Sequence, residues 1–376
     1  MTDTRGLRDW LVLWRLPGIG PRRFAHALAA FGSPGAFLAA SESQRRAAGL
    51  PEPICTADRE AGAAEAGAEA DLRWADAAGH HILTLRDPGY PRQLAELADP
   101  PPVLFITGDP AWLTTPQLAV VGARHASAGG LDNAHAFARY LGAAGLTITS
   151  GLAVGIDGAA HRGALAGGGG TVAVTATGPD RVYPARHAAL AREIAAQGAL
   201  VTELPTGTGV QREHFPRRNR LISGLALGVL VVEAGVRSGS LGTARHALEQ
   251  GREVLAIPGS IHNPVARGCH ALIREGAKLV ESAGDVLEEL PPLGDGEAVA
   301  APAEAVPAEA ENGFDPAYDR LLEALGHDPV PFDALLQRTA LTPDALSSML
   351  LRLELKGLVT AVEGGRYARS GNRARG

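Results

Sequence analysis

Between His80 and about Leu290 the sequence alternates short apolar runs with helix-length stretches, and this alternation restricts the fold more than any other feature. The runs Ile82–Leu85, Val103–Ile106, Leu118–Val121, Thr147–Thr149, Val172–Thr175, Ala199–Thr202, Val229–Val232, Val254–Ile257 and Lys278–Val280 read as strands. Helical stretches between them include Leu131–Leu141, Ala159–Leu165, Ala188–Ala196, Asn219–Leu225, Thr243–Gln250 and Ala271–Arg274. Strands without a polar face must be covered on both sides, which predicts an α/β fold with a doubly wound, mainly parallel sheet. In such a sheet ligands bind beyond the carboxyl ends of the strands, so the loops there are where chemistry is expected.

The flanks read differently. Residues 1–75 predict a small helical domain of SAM or helix-hairpin-helix type. Its Gly18-Ile19-Gly20 turn reads first as a plain packing turn, with a phosphate-holding hairpin as the alternative. Residues 76–290 form the α/β core, and 291–313, rich in Pro, Ala and Glu with no Lys or Arg, read as a flexible linker. Residues 314–369 carry three helical stretches and then a hairpin through Gly364-Gly365, the pattern of a winged helix, before a tail at 370–376. That module holds six Lys/Arg against eight Asp/Glu, so protein contact or packing suits it better than DNA reading.

With 45% apolar and 20% charged residues, the chain has the composition of an ordinary globular protein rather than a disordered one. No apolar run approaches the roughly 18 residues a membrane span needs, and the N-terminus lacks a signal-peptide pattern, so a cytoplasmic location without membrane association is expected. Cys55 and Cys269 are isolated, which points to neither a disulfide framework nor a cysteine metal site.

Four loops follow predicted strands. The first holds Gly122, Arg124 and Ser127; glycine allows a tight turn and arginine can fork onto a phosphate, but dinucleotide-binding Gly-x-Gly-x-x-Gly spacing is absent. The second runs from Ser150 and Gly151 through Gly155 to Asp157 and His161, with Asp157 predicted as a helix N-cap sharing a hydrogen bond with His161, and a metal pair or a general acid/base as the alternative, for which no third ligand lies nearby in sequence. The third holds Arg212, Phe215, Arg217, Arg218, Asn219 and Arg220: four arginines within nine residues of a chain whose net charge is −6. This is either a polyanion site or a solvated helix start whose arginines pair with nearby acids. The fourth, Ser238-Gly239-Ser240 with Thr243, puts hydroxyls and glycine at a helix start, where phosphate is readily accepted. The third and fourth flank one strand and are expected to line one cleft. Neither a Walker lysine nor a nucleophile elbow is present, so these loops read as binding rather than catalytic.

Taken in order, Val121-Gly122-x-Arg124, Ser150-Gly151-x-Ala153-x-Gly155-Ile156-Asp157-x-x-x-His161, Phe215-Pro216-x-Arg218-Asn219-Arg220, Glu233, Ser238-Gly239-Ser240-x-x-Thr243, Pro258-Gly259 and Leu272-Ile273-x-x-Gly276-Ala277 resemble the DNA-processing protein A family (DprA, also called Smf). The resemblance spans roughly residues 90–280. It implies an extended Rossmann-like core, binding of single-stranded DNA without sequence preference in natural transformation, loading of the RecA recombinase, a homodimer, and no known cofactor. By the same resemblance Arg124 grips a phosphate and Phe215 stacks a base. Arg217, Arg218 and Arg220 floor a positive pocket, and Ser240 and Thr243 bond the DNA backbone. Gly129, Val154, His187 and His270 depart from the family pattern; the first two remove a possible aromatic and a possible base from the groove.

The expected function is therefore a non-enzymatic single-strand binder and recombinase loader, for which Arg124→Ala with Arg218→Ala is expected to weaken binding without unfolding the chain. The alternative is a Rossmann-type nucleotide phosphoribohydrolase resembling the lysine decarboxylase-like proteins, suggested by Gly239-x-x-Gly242-Thr243 and Glu249. A winged-helix regulator is disfavoured by the acidic C-terminal module.

Overall fold

The fold is taken from a computed structural model of the chain, which describes residues 4–56, 61–291, 316–325 and 329–370. Six helices open the chain: α1 (Thr4–Arg15), α2 (Pro21–Phe31), α3 (Pro34–Ala39), α4 (Glu42–Ala47), α5 (Glu52–Cys55) and α6 (Ala61–Ala75). They close around Trp10, Leu13, Phe24 and Phe37, and the same cluster takes in Val103 and Phe105 from the sheet. Gly18 takes the positive φ that the α1–α2 turn requires, and its carbonyl accepts from Arg23.

The core follows as β1 (His80–Thr84), α7 (Arg92–Ala95), β2 (Val103–Gly108), β3 (Gln117–Val121), α8 (Ala128–Ala143), β4 (Thr147–Ser150), α9 (Ile156–Gly167) and β5 (Thr171–Val174). It continues with α10 (Ala188–Gln197), β6 (Ala199–Thr202), α11 (His214–Leu225), β7 (Gly228–Val231), α12 (Ser240–Glu249), β8 (Glu253–Ala256), α13 (Arg267–Arg274), β9 (Lys278–Leu279) and α14 (Ala283–Glu289). Nine strands form one sheet in the order β1-β2-β6-β5-β4-β3-β7-β8-β9. From β6 to β9 all neighbours are parallel, while β2 joins β6 and β1 joins β2 antiparallel. The strand order reverses direction between β3 and β7, the point where a doubly wound sheet opens its ligand crevice.

Apolar residues on the two sheet faces build two clusters. Leu221, Leu225, Ala244, Ala247 and Leu272 of α11, α12 and α13 cover one face, and Ala134, Ala138, Ala160 and Ala164 of α8 and α9 cover the other. Both cysteines are free and buried, and burial pushes the Cys269 thiol up to about 11. No helix among the described residues is long and apolar enough to cross a membrane.

Helices α8 and α9 approach backbone to backbone. A Cβ at Gly163 would overlap the carbonyl of His135, and one at Gly167 would overlap that of Arg139; the two glycines lie four apart on one face of α9. Gly163→Val is therefore expected to force the helices apart and lower stability by about 2 kcal/mol or more, on the scale of overpacked cores; urea unfolding checks this, and an unchanged midpoint would refute the close approach.

The C-terminal module holds α15 (Pro316–Leu325), β10 (Val330–Pro331), α16 (Phe332–Thr339), α17 (Pro343–Leu355), β11 (Val359–Val362) and β12 (Arg366–Arg369). The sheet order is β10-β12-β11, and Leu321, Leu335, Leu346, Leu350 and Leu353 pack beneath it, which is a winged helix with its own core. The linker expected at 291–313 and the tail at 370–376 lie, save for their first residues, outside the described residues.

Candidate nucleic-acid interface

Arg218 sits at the centre of the loops. Its helix starts at His214, five residues earlier than the sequence reading, because Pro216 lies in the first turn, where a missing N–H costs no hydrogen bond. The arginine cluster is thus the exposed start and buried middle of α11 rather than a loop. The chain runs back across the sheet, so the start of α11 lies over the carboxyl ends of β4 and β5. There Nη1 of Arg218 donates to the carbonyl of Gly151, at 2.8 Å, and to that of Val174. The side chain is 6% exposed. Asp157 lies beside it and accepts from the backbone N–H groups of Gly151 (3.2 Å) and Ala153 (3.3 Å). Burial pushes the Asp157 carboxyl up against the pull of Arg218, and burial lowers the Arg218 guanidinium to about 10.

Two sequence expectations are corrected here. Asp157 does not cap α9 from outside: Gly155 is the N-cap, and Asp157 lies within the first turn, folded back onto the preceding loop. It shares no hydrogen bond with His161, whose Nδ1 pairs with the Thr171 hydroxyl at 2.8 Å. That hydroxyl donates to the Ile148 carbonyl, so the His161 ring is the donor through Nδ1. Full burial lowers His161 to about 3, with the nearby His187, Arg162 and Arg218 adding to the effect.

Three of the four clustered arginines are engaged by the protein itself, Arg218 and Arg220 buried and Arg217 paired at the surface. Arg217 and Arg220 share the buried Glu203, at 2.9 and 2.5 Å. Arg220 also reaches the Asp99 carbonyl, and Arg217 lies over the Trp14 ring. Asn219 accepts from Arg218 and donates to the Gly239 carbonyl, tying α11 to the start of α12. Only Arg212 remains exposed without an ion pair among the described residues. The expectation that Arg218 and Arg220 present charge to a ligand is not what the burial supports. Arg218 organises strand ends, and Arg220 is neutralised.

Around that core the remaining predicted residues fall into two groups. Ser150 is buried and donates to the Val120 carbonyl; Thr243 is buried in α12; Gly151 has no room for a Cβ because Arg218 and Asp157 fill the space. Gly122 and Gly155 let backbones meet, since a Cβ on the first would overlap the Glu233 carbonyl and one on the second the Ala123 and Arg124 carbonyls. Gly155 also takes a positive φ of 81°. Exposed at the rim are Arg124 and Gly239, with Phe215, Ser238 and Ser240 half-buried and the two serine hydroxyls 2.7 Å apart. The Arg124 guanidinium lies 5.3 Å from the Phe215 ring centre, a cation–π arrangement that joins the β3–α8 loop to α11.

Glu233, on the loop after β7, was quoted from the sequence without a role. Its carboxylate accepts from the Ser127 N–H (2.8 Å), the Ser127 hydroxyl (2.6 Å) and the Asn263 amide (3.2 Å). Gly130 is required there because a Cβ would overlap that carboxylate. The N-terminus of α8, at the strand-order reversal, is thus occupied by the protein's own anion, in the position where a nucleotide-binding sheet holds a ligand phosphate. Ser127 is consumed in this contact. Glu249, by contrast, lies exposed at the far end of α12 and pairs with His246, about 15 Å along the helix from Gly239. Glutamate and glycine loop do not meet as the phosphoribohydrolase alternative requires. Among the described residues no group of three or more His, Cys, Asp or Glu is arranged to hold a metal ion.

One feature escapes the sequence reading: Tyr183 packs edge-on against Phe215 at 5.8 Å. Arg237, at the start of the fourth loop, stands exposed before α12. Tyr183 lies in a loop some thirty residues away in sequence from Phe215, and no local pattern links them.

An extended Rossmann-like sheet carrying a cationic, aromatic rim at its switch point, followed by a winged helix, defines the class. Comparison with known proteins gives the family: residues 81–291 match the profile of DNA recombination-mediator protein A, and 300–365 that of the DprA winged helix domain. The chain belongs to the DNA recombination-mediator protein A (DprA/Smf) family. It is 43% identical over 298 residues to protein Smf of Escherichia coli strain K12, covering 79% of each chain. With DNA processing protein DprA of Streptococcus pneumoniae it shares 46% identity over 207 residues, 55% of this chain and 73% of that one. The X-ray structure of DprA from Streptococcus pneumoniae aligns with a TM-score of 0.68 at 36% identity, covering 77% of this chain and 99% of that one. A structure reporting the single-stranded DNA binding mode of DNA processing protein A from Helicobacter pylori aligns with a TM-score of 0.51 at 26% identity, covering 56% and 94%.

Two predictions follow from the buried groups. Arg218→Ala strips two buried carbonyls of their donor and is expected to cost about 2–5 kcal/mol, against less than about 0.5 kcal/mol for the exposed Arg212→Ala; thermal unfolding of both variants measures the difference, and equal Tm values would contradict the assigned roles. This reverses the expectation that a variant lacking Arg218 stays folded. The second concerns pH. His161 is neutral in the folded chain down to about pH 3 but binds a proton below about 6.5 when unfolded. Its contribution to stability is therefore intact above pH 6.5 and is lost as pH falls from there toward 3, by up to about 1.4 kcal/mol per pH unit. His161→Gln is expected to flatten the upper part of that profile in urea titrations at about pH 7.5, 6 and 5; an unchanged acid slope would exclude it.

Proposed function

We propose that the chain binds single-stranded DNA without sequence preference, shielding incoming DNA in natural transformation and loading the RecA recombinase onto it. It does so as a cytoplasmic homodimer and without catalytic turnover. The observation that carries the reading is the Arg124–Phe215 pair at the switch point, a cation and an aromatic face presented together at the rim. A positive edge with a stacking ring suffices for sequence-tolerant binding, since every base has a π-face and every nucleotide a phosphate. The single-stranded DNA binding mode of the Helicobacter pylori protein supports the same reading.

On this proposal Arg124, Arg212 and Arg237 supply charge, Phe215 stacks a base, and the exposed Gly239 at the start of α12 lets a phosphate approach the helix N-terminus. Arg218, Arg217, Arg220, Asn219, Ser150, Gly151, Gly155, Gly122, Ser127, Ser238 and Thr243 shape the loops that present them. Glu233 keeps the nucleotide crevice filled, which directs binding to the rim.

Anisotropy titrations with an oligothymidylate and a duplex of equal length test the reading. Single-strand preference is expected, with affinity falling as salt rises from about 50 to 200 mM. Arg124→Ala is expected to reduce the log–log salt slope by about 0.7, the single-strand value for one phosphate contact. Equal affinity for duplex, or no binding by the wild type, would overturn it.

A further inference from the structure

The segment following β5 carries a second basic run that the arginine cluster overshadows. From Arg181 to Arg192 the chain holds three arginines, Arg181, Arg186 and Arg192, all exposed, and no acid. Tyr183 belongs to the same segment. Its ring meets Phe215 edge-on, with 5.8 Å between centres and 63° between planes, yet it keeps 44% exposure. The contact with Phe215 therefore does not use up the ring. Phe215 in turn lies under Arg124, so three side chains from three separate segments form one continuous cation–ring–ring row along the carboxyl ends of the sheet.

The row points somewhere. Arg181 and Val182, beside Tyr183, line a cleft of about 140 Å³ whose other wall includes Arg192 of α10. Arg181 and Arg192 thus border a single cleft whose lining is otherwise mainly apolar. The acids next to them are Asp180, which accepts from the Gly207 N–H at 2.9 Å and lies 3.4 Å from Arg181, and the exposed Glu193. Basic side chains interleaved with an exposed aromatic make the pattern that tracks a single strand: phosphates follow the charges while a base lies on each ring.

We propose that Tyr183 is a second base-stacking platform, and that a single strand leaving Phe215 crosses Tyr183 and runs along Arg181 and Arg192 toward α10. The inference rests on the single-strand reading above and extends its footprint beyond the loops around Arg124 and α11. Tyr183 and Phe215 hold successive or near-successive bases, and the groove beside α10 carries the backbone of the following nucleotides.

The test uses the full chain. Oligothymidylates of increasing length are titrated by anisotropy against wild type, Tyr183→Phe, Tyr183→Leu and Arg192→Glu, and an oligonucleotide substituted with 5-iododeoxyuridine is photocrosslinked to the wild type and mapped by mass spectrometry. Tyr183→Phe is expected to bind within about twofold of wild type and Tyr183→Leu about tenfold more weakly, the loss of one stacked base. Arg192→Glu is expected to weaken long oligonucleotides and leave the shortest ones that bind unaffected. Crosslinks are expected on Tyr183 as well as Phe215, a readout that a purely supporting role beneath Phe215 does not produce. Crosslinks confined to Phe215, or Tyr183→Leu binding like wild type, would overturn the proposal while leaving the single-strand reading standing. A wild type that binds no single strand, crosslinked or titrated, removes both.

Discussion

The buried guanidinium of Arg218 is the constraint on which the loop geometry depends. Parallel strands end with carbonyls that no neighbouring strand pairs, and at β4 and β5 those of Gly151 and Val174 are met by one arginine delivered from α11. That arginine is charged, so Asp157 must lie beside it, and Asp157 in turn gathers the N–H groups of Gly151 and Ala153. Gly151 is glycine because the two side chains leave no space. Leu152 follows in the left-handed region, a backbone state that costs roughly 1–2 kcal/mol for a residue with a Cβ. The His187 ring holds its carbonyl at 2.9 Å. A sequence that looks like a ligand-binding glycine loop is in this segment the packing around a buried arginine and a nearby buried carboxylate.

The same accounting explains how an acidic chain presents a cationic edge. Four arginines in nine residues do not make a basic surface when Glu203 takes two of them and Asp157 faces a third. Pairing fixes the position of α11, and so of Phe215, to which charge is then supplied by exposed residues from elsewhere: Arg124 from the β3 loop and Arg237 from the β7 loop. Of the two readings of the cluster, the helix start paired with acids describes Arg217 and Arg220, and the polyanion reading is left to Arg212 and the rim around it.

The sheet was legible because each parallel strand is a short apolar run with a turn after it, and burial on both faces leaves no other pattern. Its antiparallel edge was less so, since β1 and β2 look like any other apolar run and only their pairing sets direction. The start of α11 was misplaced because Pro216 reads as a breaker, whereas in a first turn it is compatible with helix. Asp157 and His161 are four residues apart on one helix, yet each is claimed by a nearer partner, Asp157 by backbone N–H groups and His161 by Thr171. Tyr183 and Glu233 illustrate the general limit: their partners are far away in sequence, and spacing carries no information about contacts that the sheet order alone creates.

Glu233 also bears on why this fold holds no recognisable nucleotide motif. A doubly wound sheet offers a helix N-terminus at its switch point, and a free N-terminus there attracts phosphate. In this chain the glutamate after β7 bonds Ser127 twice and is braced by Asn263, so the protein's own anion neutralises the α8 N-terminus. A mononucleotide would have to displace a carboxylate held by three hydrogen bonds, each to a charged acceptor contributing on the order of 1.5–3 kcal/mol. A polymer faces no such competition, because on the proposed reading its phosphates and bases are met along the rim by Arg124 and Phe215 without entering the crevice. Filling the crevice from within thus converts a fold suited to one small anion into a platform suited to a chain of them.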